Sequence, residues 1–140
     1  MRTVIPIAVV AALIVVAPAA ATKSTPRTPA NAVDTKSWCK AVIDTNTRAG
    51  TMRNRRFLAP SKITPAMWKK VVDAAVANGS KYIALAPSSI KTAVVHQIAY
   101  FRHIKANHYS TTTPLAPLTL ADVKKITDFE RTQCGITFAT

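Results

Sequence analysis

The chain has 140 residues, and its 19 Lys and Arg residues against 6 Asp and Glu residues give it a formal net charge of +13. This length is that of one domain with a real but modest core. The positive charge favours anionic partners, and so few acidic residues leave little scope for catalysis by paired carboxylates.

Residues 1–21 have the layout of a secretory signal peptide. Arg2 supplies a positive charge, Val4–Val16 is apolar apart from one proline, and Ala17–Ala21 is a run of small residues at which cleavage can occur. We therefore expect residues 22–140 to be secreted or otherwise extracytoplasmic.

An uncleaved membrane anchor is the alternative for this segment. Val4–Ala21 is eighteen residues long, which is at the lower edge of the length that spans a bilayer. Pro6 and Pro18 shorten any continuous helix in it, and the alanine-rich end suits a signal peptidase. We therefore favour cleavage and expect no stable transmembrane segment afterwards.

The two cysteines, Cys39 and Cys134, allow one intramolecular pairing. Export favours their oxidation to a disulfide, and no further cysteine exists to build a zinc site. A bridge between them would close a loop of about 100 residues, for which chain entropy gives a stabilisation on the order of 4–5 kcal/mol.

Residues 22–33 are rich in Thr and Pro, and this composition predicts a disordered spacer before a helical domain at 34–140. Hydrophobic periodicity in that domain predicts four amphipathic helices, at 34–49, 64–83, 90–107 and 119–134. We expect Asn78-Gly79 to end the second helix early or to kink it.

Helix-end signals support these boundaries. Thr64 is a candidate N-cap followed by a proline, Thr119 and Asp122 have the spacing of a capping box, and Gly135 is a natural stop for the last helix. The sequence therefore predicts an all-α fold, a small four-helix bundle in which the disulfide joins the first helix to the end of the last.

The densest positive patch is a stretch that we call the basic segment. It consists of Arg48, Arg53, Arg55, Arg56 and Lys62. Because guanidinium groups bind phosphate and carboxylate with two parallel hydrogen bonds, we interpret it as an anion-binding surface. The alternative is a solvated run of charge without a partner.

His96, Tyr100 and His103 form a weaker candidate site on the third predicted helix, where they could contact a haem or another flat ligand. The two histidines are seven residues apart, roughly 10.5 Å along a helix, so one metal ion cannot bind both directly. We expect no metal site and no cofactor, and the alternative for the histidines is a solvated polar face.

No nucleophile lies in a recognisable catalytic context, so we do not expect an enzyme. The first hypothesis is a binding protein for an anionic cell-envelope polymer, a lipid surface or an acidic protein, and export ranks nucleic acid below these.

The alternative hypothesis is an extracytoplasmic carrier that holds an apolar or planar, haem-like or lipid-like molecule between its helices. A cavity beside Trp68, Tyr82, Tyr100 and Phe101 would favour the carrier, whereas a solidly packed core would oppose it.

Overall fold

A computed structural model describes residues 29–110, 113–114 and 116–139. The predicted signal peptide at 1–21 and residues 22–28 of the predicted spacer lie outside these residues. Five α-helices are present in the described chain: α1 (Pro29–Ala49), α2 (Pro65–Ala77), α3 (Gly79–Leu85), α4 (Lys91–Ala106) and α5 (Leu120–Cys134). Three short strands and a 3₁₀ turn complete it: β1 (Met52–Arg53), β2 (Arg56–Phe57), β3 (Thr137–Phe138) and the turn at Pro60–Lys62.

The predicted helical fold is confirmed, but the described residues form five helices where the sequence predicted four. The second predicted helix is divided at Asn78, as the Asn-Gly pair indicated, and α3 begins at Gly79. A Cβ atom on Gly79 would lie 2.7 Å from the Ile98 Cγ2 atom. The glycine therefore permits the close approach of α3 to α4.

Helix α1 begins at Pro29, five residues before the predicted start. Residues 29–33, predicted as spacer, are therefore helical. Proline is well suited to the first turn of a helix because its missing N–H has no intrahelical partner there, and its φ angle is already helical.

The predicted helix ends are confirmed in their geometry. The Thr64 hydroxyl accepts a hydrogen bond of 3.2 Å from the Met67 backbone N–H. Thr119 and Asp122 form a reciprocal capping box, with both bonds at 3.1 Å. Gly135 follows α5 with a φ of +64°, the left-handed conformation that glycine adopts without strain.

A small β-sheet, which the sequence analysis did not predict, combines a hairpin between α1 and α2 with a short strand after α5. Strands β1 and β2 form an antiparallel hairpin, and β3 pairs with β2 in parallel. The hairpin turns at Asn54 and Arg55, both of which have positive φ angles. Met52 and Phe57 are buried, so the hairpin packs one of its faces on the helical core.

The predicted disulfide between Cys39 and Cys134 is present, with a Cα–Cα distance of 5.2 Å. It joins α1 to the last residue of α5, and it leaves no free cysteine in the part of the chain that the structure describes. No helix among the described residues is both long enough and apolar enough to cross a membrane.

Candidate functional site

The helices do not close completely on one another, and a cavity of about 130 Å³ lies between them. We call it the central cavity. Its lining is mainly apolar and includes six aromatic side chains: Trp38, Phe57, Trp68, Tyr82, Tyr100 and Phe101. Sites for drug-sized ligands measure about 300–1,000 Å³, whereas a cavity on the order of 150 Å³ holds one benzene molecule. The central cavity is therefore of a size for a single ring.

Edge-to-face contacts between helices hold the aromatic walls in place. Trp68 of α2 meets Phe101 of α4 with ring centroids 5.7 Å apart and an interplanar angle of 69°. Trp38 of α1 meets Tyr82 of α3 at 6.4 Å and 78°. The Tyr82 hydroxyl is also hydrogen-bonded to the Thr45 hydroxyl, which joins α3 to α1. Such contacts favour fixed ring orientations, so the cavity has defined walls.

The two tryptophans each leave a polar atom unsatisfied. Trp38 is 2% exposed and Trp68 is 7% exposed, and neither indole Nε1–H has a hydrogen-bond partner within the described residues. Indole nitrogen is a donor only, and a buried donor without a partner costs about 1–3 kcal/mol. Both indole N–H groups are therefore buried without a partner, in residues whose side chains contribute to the cavity lining.

Glu130 of α5 is a buried acid in the lining. Its side chain is 8% exposed, and none of the ion pairs in the described chain includes it. Burial raises the pKa of the Glu130 carboxyl to about 8, with no neighbouring charge to oppose the shift. The neutral acid therefore predominates at pH 7, and in that form Glu130 both donates and accepts hydrogen bonds.

Other polar side chains in the lining lie on α1, directly after it, and on α4 and α5. Gln97 and Tyr100 are three residues apart on α4, and Thr127 is three residues before Glu130 on α5, so each pair shares one face of its helix. Burial raises the pKa of Tyr100 to about 12, which keeps its hydroxyl neutral. The cavity therefore combines aromatic walls with a few neutral polar groups.

The structure places the basic segment on the surface, outside the cavity lining. All five of its side chains are exposed: Arg48, Arg53, Arg55, Arg56 and Lys62. None of them takes part in an ion pair within the described chain. Arg53 and Arg56 stand directly opposite each other in the hairpin, while the Arg55 guanidinium donates a 3.4 Å hydrogen bond to the Cys134 carbonyl at the end of α5.

The structure does not bring His96, Tyr100 and His103 together as one site. Tyr100 lines the cavity, whereas His103 is exposed near the end of α4. The His96 Nδ1 atom lies 2.9 Å from Asp122 Oδ2. Burial acts to raise the pKa of Asp122, but hydrogen bonds from His96 and Thr119 outweigh it, and the pKa is lowered.

No group of three or more His, Cys, Asp and Glu side chains among the described residues could hold a metal ion.

Sequence reasoning missed Glu130 and Trp38 as site residues. The signal for Glu130 was present in the helical pattern, since this residue falls on the inward stripe of α5 between Ile126 and Cys134, at four-residue spacing. An acid on an apolar stripe is a candidate functional group, because an isolated carboxyl is rarely buried.

Known proteins give no information about the role of this site. No protein-family model matches the chain, and no curated protein or solved structure matches it significantly.

Proposed function

We propose that this protein binds a small, largely apolar molecule in the central cavity and acts as an extracytoplasmic carrier. The observation that supports the proposal is a cavity of about 130 Å³ between the helices, whose lining is mainly apolar and includes six aromatic side chains. A cavity of this volume suits one ring or a compact branched molecule better than a haem macrocycle or a long lipid chain.

Binding without turnover fits the chemistry of the lining. Among the described residues, Glu130 is the one carboxyl group of the lining, and neither a histidine nor a lysine lies beside it to activate a nucleophile. The sequence layout of residues 1–21 and the disulfide are compatible with action outside the cytoplasm. We therefore propose a carrier or receptor rather than an enzyme.

Titration with benzene tests this proposal, with two matched alanine substitutions on α2. Ala75 is 5% exposed and lines the cavity, so Ala75→Phe should fill it. Ala77 is exposed at the end of the same helix, so Ala77→Phe adds the same ring outside. Saturable benzene binding, measured by calorimetry, should occur in the native protein and in Ala77→Phe, and should be lost in Ala75→Phe.

Two results would contradict the carrier proposal. One is the absence of saturable benzene binding to the native protein. The other is equal binding by Ala75→Phe, which would place the benzene elsewhere. Since an overfilled core can disturb folding, Ala75→Leu provides a smaller filling, and circular dichroism checks that each variant retains its helices.

A second candidate function is recognition of an anionic partner by the basic segment. The observation that favours it is the pairing of Arg53 with Arg56 across the hairpin, with both side chains exposed. Like charges directly opposite each other repel, and an anionic group bound between the two guanidinium groups would relieve the repulsion. The partner in this proposal is an anionic envelope polymer, an anionic lipid surface or an acidic protein.

Binding to immobilised dextran sulfate over a series of salt concentrations tests the second candidate. Arg53→Ser/Arg56→Ser should elute at clearly lower salt than a control with the same loss of charge, Lys36→Ser/Lys91→Ser. Both control lysines are exposed and lie outside the hairpin. Equal elution of the two variants would show that only net charge matters, and binding that persists near 1 M salt would oppose an electrostatic mechanism.

A further inference from the structure

We propose that α3 is a gate through which the ligand enters and leaves the central cavity, and that the hydrogen bond between the Tyr82 and Thr45 hydroxyls is the latch of this gate. This inference rests on the proposed carrier function and adds the path of the ligand to it. Both latch residues lie in the cavity lining, and Tyr82 is the one residue that α3 contributes to the lining within the described chain.

The burial of the aromatic lining indicates that a wall of the cavity must move to admit a ring. Five of the six aromatic side chains are at most 8% exposed: Trp38, Phe57, Trp68, Tyr100 and Phe101. Tyr82 is the sixth, and it is half-buried. The most exposed aromatic side chain of the lining is therefore the one on α3, and the movement of a surface element is a common way of opening an enclosed site.

Helix α3 is held to the rest of the fold more weakly than the helices beside it. It has seven residues, and Gly79 is the one that is buried, whereas α2, α4 and α5 bury three, six and four residues. Ser80, Lys81 and Ala84 of α3 are exposed to water. Elements that bury few side chains open locally at a lower free energy than the core does, so α3 is the helix that we expect to open first.

The side-chain bonds between helices show the same difference. The disulfide joins α1 to α5, and Lys105 of α4 forms a 3.1 Å ion pair with Asp73 of α2. The His96 Nδ1 atom of α4 contacts the Asp122 carboxylate of α5. The one side-chain hydrogen bond that joins α3 to another helix in the described residues is the latch, which is neutral. Loss of a single hydroxyl group therefore removes the polar contact that holds α3 against α1.

Both ends of α3 are interruptions of the helical backbone. Asn78 alone separates α3 from α2, and its side-chain amide donates a 2.9 Å hydrogen bond back to the Ala74 carbonyl, so it does not cap α3. At the other end Ala86 is extended, with φ −64° and ψ 125°, and Pro87 follows it without a backbone N–H. Because hinges are formed by a few residues at the ends of elements, these two points let α3 rotate while α2 and α4 stay packed.

Removal of the Tyr82 hydroxyl tests the gate, with removal of the Tyr109 hydroxyl as the matched control. Tyr82→Phe deletes the latch and retains the ring that packs on Trp38. Tyr109→Phe deletes a hydroxyl that donates to Asp73, in a half-buried residue outside the cavity lining. Nuclear magnetic resonance exchange measurements give the rates of benzene association and dissociation for each protein.

Tyr82→Phe should raise both rates by about fivefold, the factor that corresponds to one ordinary hydrogen bond, because benzene passes through the open state in both directions. Its affinity should change little, since the closed state still predominates. Thr45→Val removes the other hydroxyl of the latch and should give the same increase. Tyr109→Phe should leave both rates unchanged.

Hydrogen exchange of the α3 backbone amides gives a second readout that needs no ligand. A helix of seven residues is not stable on its own, so α3 should lose protection whenever it leaves α1. Its amides should therefore exchange about fivefold faster in Tyr82→Phe and in Thr45→Val, but not in Tyr109→Phe.

Each other outcome overturns a specific statement. Unchanged benzene rates in Tyr82→Phe, with binding intact, would refute the gate and leave the carrier proposal standing. An equal increase of the rates in Tyr109→Phe would show that general loosening of the fold admits benzene, and would also refute a gate at α3. Lack of saturable benzene binding to the native protein would remove the carrier proposal and the gate with it. Thr45→Val carries the test where Tyr82→Phe does not fold.

Discussion

The central cavity and the basic segment are opposite in how they treat polar groups. In the cavity lining, Trp38, Trp68 and Glu130 are at most 8% exposed, and the two indole N–H groups have no hydrogen-bond partner among the described residues. In the basic segment, cations such as Arg53 and Arg56 are exposed to water. The first region keeps polar atoms where they are destabilising, and the second keeps them where hydration satisfies them.

This difference decides how strongly each region points to a function. An unpaired buried donor or acid destabilises the fold, so its presence indicates a role other than stability. An exposed cation changes stability little, and a charged surface also serves solubility. The cavity is therefore the stronger of the two candidates, although the sequence directed attention to the basic segment first.

The two regions meet at the end of α5. Cys134, four residues after Glu130, is bonded to Cys39, and its carbonyl accepts the hydrogen bond from Arg55 of the hairpin. Cys39 in turn follows Trp38 on α1. The disulfide therefore joins the two helices that contribute one indole and the carboxyl group to the cavity.

Removal of the disulfide should have the largest effect and should disturb both regions together. Cys39→Ser/Cys134→Ser releases a covalent loop with a sequence separation of 95 residues. The chain-entropy relation gives a loss of about 4–5 kcal/mol in the free energy of unfolding, to be measured by urea denaturation. A loss below about 1 kcal/mol would show that packing alone holds α1 against α5.

Substitution of the buried acid Glu130 should change how the stability of the protein depends on pH. The folded-state pKa of Glu130 is about 8, above the ordinary value of 4.5, so the folded state retains a proton that the unfolded state releases. Stability linked to Glu130 is complete below about pH 4.5, falls as pH rises and reaches its minimum above pH 8. Glu130→Gln should therefore gain on the native protein by on the order of 4 kcal/mol between pH 4 and pH 9.

Urea denaturation at several pH values measures this gain, with Asp128→Asn as the control. Asp128 lies on the same helix, half-buried, and pairs with Lys124 and Arg131 at the surface. Its substitution should not reproduce the trend above pH 5. A constant difference between Glu130→Gln and the native protein over the whole range would mean that Glu130 ionises freely.

Two substitutions of Trp68 separate the contribution of its indole N–H to stability from the contribution of its ring. Trp68→Phe should change the free energy of unfolding by less than about 1–2 kcal/mol, because the smaller ring is offset by removal of an unpaired donor. Trp68→Ala should lower it by about 3–5 kcal/mol, since it removes the ring that packs on Phe101. Equal losses in the two variants would indicate that the indole N–H is satisfied in solution.

Changes in the basic segment should have the smallest effect on stability. Arg53→Ser/Arg56→Ser removes two exposed like charges and should alter the free energy of unfolding by no more than about 0.5 kcal/mol. Arg55 is left in place because it bonds to the Cys134 carbonyl. Benzene binding in the cavity should remain unchanged, and a loss of it would contradict the independence of the two regions.

The parts of the fold that the sequence predicted correctly depend on local rules or on a forced choice. The hydroxyl of Thr119 and the carboxylate of Asp122 cap α5 through contacts three residues apart, and Gly135 ends it by its own conformation. The pairing of Cys39 with Cys134 was the one intramolecular possibility. Each of these depends on few residues, so the sequence was sufficient.

The parts that it did not predict depend on residues far apart in the chain. Strands β1 and β2 have two residues each, which is too short for an alternating pattern to appear. The cavity arises because side chains on all five helices and on β2 do not fill the space between them. No local sequence pattern reveals such an unfilled space. Glu130 was nonetheless visible as an acid on an apolar stripe, so it could have been identified.

A crystal structure of the oxidised protein soaked in benzene tests the central claim most directly. We expect the ring to occupy the central cavity, in contact with the aromatic side chains that line it. A cavity that stays empty at saturating benzene would contradict the claim that the cavity is a ligand site.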